Sequence, residues 1–126
     1  MPPRESLSHT YPDHKVVLEK NPKRVRVRLG GQVVADSAAT LIVRETNHDP
    51  VVYFPPEDVR FELLQSTAHE SFCPFKGEAS YWTIQVGERV AENAVWGYLN
   101  PFDEVSGLKG YVAFYRDRVE WDDAAT

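Results

Sequence analysis

Arg24-Val25-Arg26-Val27-Arg28-Leu29-Gly30-Gly31-Gln32-Val33-Val34-Ala35-Asp36-Ser37 is the most informative stretch of the chain. Its first six residues alternate strictly between cationic and apolar, which is the period of a strand with one buried face. The glycine pair can take the two positive φ angles of a two-residue hairpin turn, so Gln32 to Ser37 is the returning strand. Outward from this hairpin the same grammar repeats. Thr40 to Glu45 and Val51 to Phe54 are β-branched or aromatic runs separated by Thr46-Asn47-His48-Asp49-Pro50, a cluster of turn formers that predicts a second hairpin. Val16-Val17-Leu18 precedes them, and Ser71 to Cys73, Ser80 to Val86 and Ala94 to Tyr98 follow. Gly110 to Tyr115 and Val119 to Trp121 read as a last pair turned by Arg116-Asp117-Arg118. Pro55-Pro56-Glu57-Asp58 places prolines and acids where a helix accepts them, predicting one short helix over about 56–64.

Short strands at roughly ten-residue spacing predict a single antiparallel all-β domain, a sandwich-like body of about eight or nine strands. It is expected over 14–121, between a polar, flexible arm (1–13) and a frayed tail (122–126). At 126 residues and 42% apolar composition there is material for one core and too little for two ordinary domains. The apolar runs are far shorter than the roughly 20 residues of a membrane-spanning helix, and the first residues have no leader-like apolar segment. One cysteine excludes an internal disulfide and a multi-thiolate zinc site, and a reducing, cytoplasmic setting is expected. The first 28 residues carry seven basic and three acidic side chains, a net of +4, while the other 98 carry seven and sixteen, a net of −9. An acidic body with one basic ribbon argues against broad nucleic-acid binding.

Cys73-Pro74-Phe75-Lys76-Gly77 is the most chemically suggestive segment. A neighbouring ammonium stabilises a thiolate, and a turn ending at Gly77 can aim both side chains into one cleft. As a functional pair Cys73 is a nucleophile or covalent anchor and Lys76 its electrostatic partner. As a structural pair they are a small buried hydrophobe beside a snorkelling lysine. Tyr53, Tyr81, Trp82, Trp96, Tyr98 and Tyr111 with Asp58 form an aromatic-rich set suited to a core or to a ligand pocket. Asp58 suits the first turn of a helix or, with Tyr53 and Lys76, a catalytic or binding constellation. Arg24, Arg26 and Arg28 share one strand face and offer bidentate contacts to an anion, or pair with the acidic body. Ser37 and Glu45, with Asp36, end strands where acid–base or Mg²⁺ chemistry is possible and where such residues also simply turn the chain. No spacing among His9, His14, His48 and His69 indicates a metal site, and no cofactor is implied. His9 and His48 sit in polar loops, where exposure is expected.

Arg24-Val25-Arg26-Val27 leading to Val34-Ala35-Asp36-Ser37, Tyr53-Phe54-Pro55 followed by Asp58-Val59, Cys73 to Trp82, and Trp96-Gly97-Tyr98 with Gly110 to Tyr115 form four ordered blocks. Together they resemble the family called domain of unknown function 427, sometimes labelled nucleotidyltransferase-like. The resemblance spans about His14 to Trp121. It implies a small fold similar to the β-tent group, in which two antiparallel sheets splay apart. Members of that group bind zinc through paired CxxC motifs, bind small ligands in a cleft, or reduce oxidised methionine. With one cysteine here the zinc role does not carry over. Nor does the chain hold a Gly-Ser pair followed by Asp-x-Asp, or a phosphate-cradling GxxxxGK[ST] loop. His14, Arg24 and Arg26 gain weight because their positions belong to the matched pattern.

The expected function is binding of a small polar or anionic molecule in a cleft lined by Tyr53, Asp58, Cys73, Lys76, Tyr81 and Trp96. Two alternatives stand beside it: an enzyme, either Cys73-dependent or nucleotidyl-transferring, and a module that forms homodimers through an exposed sheet edge.

Overall fold

A computed structural model describes residues 6–8 and 10–122; the outermost parts of the expected arm and tail, and His9, lie outside the described residues. Among the described residues ten strands form three antiparallel sheets. β1 (Val16–Lys20), β4 (Leu41–Glu45) and β5 (Val51–Tyr53) make the first, in the order β1-β4-β5. β2 (Val25–Leu29), β3 (Gln32–Ser37) and β10 (Glu120–Asp122) make the second, ordered β10-β2-β3. β6 (Leu64–Cys73), β7 (Gly77–Val86), β8 (Arg89–Gly97) and β9 (Val112–Phe114) follow one another in the third. No helix among the described residues is long and apolar enough to cross a membrane.

The β2–β3 hairpin is as its sequence dictates. Gly30 and Gly31 hold φ of 59° and 81°, and Leu29 faces Gln32 across the turn. Val25, Val27 and Leu29 are buried and the arginines between them are not, so the alternation in sequence becomes the two faces of the strand. β4 and β5 form the second hairpin, its turn carrying Asn47 at φ 64°, a conformation that asparagine tolerates better than most residues.

The third sheet lies between the other two. Val95, Val112, Phe114 and Ile84 pack with Val25, Val27, Val34 and Phe54 in one core. Ala79, Tyr81, Tyr98 and Ala113 pack with Val43 and Tyr53 in another. Neighbouring residues of β9 therefore enter opposite cores, and all three are buried. The first and third sheets meet where Phe54 and Val112 exchange both backbone hydrogen bonds, at 2.7 and 3.0 Å. The hollow bordered by residues of β4-β5 and β7-β8 is the cleft.

Three expectations are corrected. The single helix over 56–64 is two 3-10 turns, Pro56–Asp58 and Phe61–Leu63, because Val59 between them is extended and bridges to Ala35. Gly110 to Tyr115 and Val119 to Trp121 do not pair with each other. β9 joins β8, and β10 crosses to the open edge of β2, where the Trp121 ring meets Phe54. Three sheets replace two because β1 joins β4, and β2 with β3 forms a separate layer.

Candidate ligand-binding cleft

Glu45 ends β4 with a side chain only 8% exposed. Such a carboxylate needs partners, and three are supplied, two from distant parts of the chain and one from the adjoining turn. The Lys76 ammonium, itself buried, donates to Oε1. His14 Nε2 lies 2.8 Å from Oε2, and His48 Nε2 approaches the same oxygen at 3.7 Å. Burial pulls the Glu45 carboxyl upward, but the hydrogen bonds from Lys76 and His14, with the charges of Lys76 and His48, outweigh it and leave the group below its ordinary value. The Cys73–Gly77 turn makes this possible. Lys76 N–H closes on Cys73 O at 3.2 Å, and Gly77 takes a φ of 123° that favours glycine; Lys76 is buried and Phe75 half-buried. The His14 ring stacks on Phe75 at 3.8 Å. The segment preceding His14 also lies on this turn, Leu7 N–H donating to Pro74 O at 2.9 Å and Tyr11 meeting Phe75 edge-on.

The opposite wall is aromatic. Trp96 Nε1 donates to the Tyr53 hydroxyl at 3.2 Å, and Trp96 packs on Tyr115 with centroids 4.5 Å apart. The Tyr81 hydroxyl hydrogen-bonds Ser71 Oγ at 2.9 Å. Burial raises the Tyr53 hydroxyl far above the usual phenol range, outweighing the hydrogen bonds from Trp96 and Tyr98 that act against it. Burial raises Tyr98 likewise, and Tyr115 with help from its hydrogen bond to Tyr81. Tyr53, Tyr98 and Tyr115 are therefore neutral donors and acceptors at any physiological pH.

Between the walls is a hollow of about 430 Å³, bordered by Glu45, Lys76, Tyr53, Tyr81, Trp96 and Cys73. The structure thus brings five of the six expected cleft residues together and adds Glu45, with His14 behind it. Asp58 is not among the lining residues. It accepts a 2.6 Å hydrogen bond from Ser37 Oγ, which also accepts from Ala39 N–H, and this pair fastens the end of β3 to the first 3-10 turn. Asp58 makes no helix cap either, because there is no helix for it to open. Arg24 and Arg26 also lie apart from the cleft. Arg24 grips Asp36 with two 2.7 Å bonds and Arg26 adds a third at 3.3 Å, the cross-strand pairing the acidic body allows. Among the described residues no group of three or more His, Cys, Asp or Glu is arranged to hold a metal.

His48, Asp49 and Tyr115 border the hollow without having been singled out for it. For the first two a signal was present: they occupy the turn joining Glu45 to Tyr53, so any cleft holding both must pass that turn. Trp82 faces the other core, edge-on to Phe61. Two further hollows, about 540 Å³ beside Arg89 to Asn93 with Arg118 and about 380 Å³ beside Phe72 and Phe102, contain no comparable buried ion pair.

No curated protein matches the chain. A family described as "Domain of unknown function (DUF427)" matches residues 17–123, a span that holds every residue bordering the cleft. The strand pattern, the Cys73–Gly77 turn and this match agree, and the chain belongs to the DUF427 family.

Proposed function

We propose that the cleft binds a small polar molecule whose flat or apolar part lies on the aromatic wall and whose polar groups meet the phenols and the Lys76 end. One observation carries this reading: a buried ion pair and four phenols converge on a hollow of about 430 Å³. Natural cores are packed nearly free of voids, and buried charges are costly unless paired. A space bounded by aromatic surface and a few convergent polar groups matches the ordinary anatomy of a ligand site, in both volume and lining.

Of the two expected ligand classes, polar is favoured over anionic. The one ammonium in the cleft is already paired with Glu45, and an incoming anion meets both that carboxylate and Asp49. Binding is favoured over cysteine catalysis for a geometric reason. A thiol nucleophile needs a base within hydrogen-bond reach, and the Cys73 thiol makes no side-chain hydrogen bond among the described residues. The dimer reading has less to draw on: the edge strand β6 has a ladder broken between Ser66 and Glu70 and mostly polar side chains, and the edge strands β1 and β10 have only five and three residues.

The test is a screen of small polar metabolites by thermal shift and tryptophan emission, repeated on Trp96→Leu and Tyr53→Phe. A compound that raises Tm in the parent protein and loses the effect in both variants supports the cleft. Hits indifferent to both substitutions would place binding elsewhere. Iodoacetamide labelling at neutral pH separates the enzyme alternative, since rapid modification of Cys73 would return it to contention.

A further inference from the structure

The charge of the ligand follows from what the cleft has left to offer. Tyr53, Tyr81, Trp96, Tyr98 and Tyr115 present one indole and four phenols. Ring faces carry the negative lobe of the aromatic quadrupole and attract cations. Tyr115 already behaves so, with the Arg118 guanidinium 4.8 Å from its centroid. The ionic balance points the same way. Lys76 and Glu45 cancel, and the imidazoles of His14 and His48 are turned to that same carboxylate, whereas Asp49, exposed at the rim, has no ion pair or hydrogen bond among the described residues. The chain as a whole carries a net −5, so its overall field favours cations as well.

The kind of cation is narrowed by hydrogen-bond accounting. An ammonium or guanidinium bearing several N–H groups needs buried acceptors. Each oxygen of Glu45 already accepts one hydrogen bond, Oε1 from Lys76 and Oε2 from His14, and His48 crowds Oε2 as well. An N–H-rich cation is left with the second lone pairs of that crowded carboxylate and with phenol oxygens, of which those of Tyr53 and Tyr81 already have partners. A methylated nitrogen has few or no N–H groups to satisfy and loses less on leaving water. Resting on the cleft being a binding site, we infer that its ligand is an organic cation of the methylated or quaternary ammonium class, held by the aromatic wall and drawn in by Asp49.

Choline and 3,3-dimethylbutan-1-ol have the same shape and differ in carrying nitrogen or carbon at the branch point. Each is titrated into the whole chain at fixed ionic strength, with tryptophan emission and Tm as readouts. Choline is expected to bind about tenfold more tightly than the alcohol. Asp49→Asn, at an exposed position that folding does not depend on, is expected to weaken choline about threefold and leave the alcohol unchanged. Equal affinities, or a choline affinity indifferent to Asp49→Asn, overturn the inference. If neither probe saturates while uncharged polar compounds still act through Trp96, the cation assignment falls and the cleft stands. If no compound of either kind acts through Trp96, both fall.

Discussion

Glu45 shows how one side chain can be expensive alone and useful in company. Its carboxylate is held by an ammonium and an imidazole that are each 31 residues away in sequence, in opposite directions. Removing one member of a buried pair leaves the other charged and unsolvated, so Lys76→Met is expected to destabilise the fold by about 3 kcal/mol. Combining it with Glu45→Leu should restore much of that loss, which paired urea melts would show. The pH dependence has a definite sign. The carboxyl titrates near 4.5 in the unfolded chain and lower in the folded one. Its contribution is therefore complete above that unfolded value and is lost as pH falls through the folded one. Urea midpoints measured between about pH 6 and pH 3 should fall more steeply for the parent than for Glu45→Gln. From the sequence, Glu45 was visible as a strand-end acid and Lys76 as an amine open to an inward aim or to snorkelling. Their pairing was not, because nothing local links the two.

Strands were legible in proportion to how one-sided they are. β2 alternates because one face is buried; on the other face Arg26 pairs with Asp36, while Arg28 keeps a buried Nε without a hydrogen-bond partner among the described residues. β6 was read over its last three residues only, since Gln65 to Glu70 is polar and largely exposed, an edge strand with no apolar face to announce it. Its hydrogen bonds to β7 make it a strand all the same. β8 and β9 show the opposite constraint, where backbone must approach backbone. A Cβ on Gly97 would lie 2.6 Å from Tyr111 O and 2.9 Å from Val112 Cγ1. Gly97→Ala must therefore push β9 aside, and a loss of about 2 kcal/mol is expected in thermal or chemical melts. A variant as stable as the parent would mean that the β8–β9 contact is looser than described. The same displacement would disturb Trp96, which adjoins Gly97, so ligand effects on its emission should weaken in parallel.

At the level of the whole molecule, the central sheet is the common wall of both cores, and its stability is the stability of the fold. Backbone amides of β7 and β8 between Tyr81 and Val95 should exchange slowest, and those of β1 and the outer edge of β6 fastest. Native-state hydrogen exchange would show this ranking, and a β1 as slow as β8 would overturn it. The cleft lies on the side of the central sheet that faces β4 and β5. Ligand binding there should slow exchange in the β4–β5 turn more than in the β2–β3 hairpin.

Local rules were enough to read an all-β chain and the turn chemistry of both early hairpins, while at Lys76 they left an inward aim and a snorkelling side chain both open. Each rests on neighbours in sequence: an alternation of period two, paired glycines, a proline-bearing turn. The layer assignment, the splitting of the expected helix and the departure of β10 to the edge of β2 depended on long-range backbone pairing. So did the membership of the cleft. Asp58 and Glu45 are both acids at element ends, and only the folded chain sends one to Ser37 and the other to Lys76. A buried charge takes whichever partner the topology brings within reach, and that choice is made by tertiary structure.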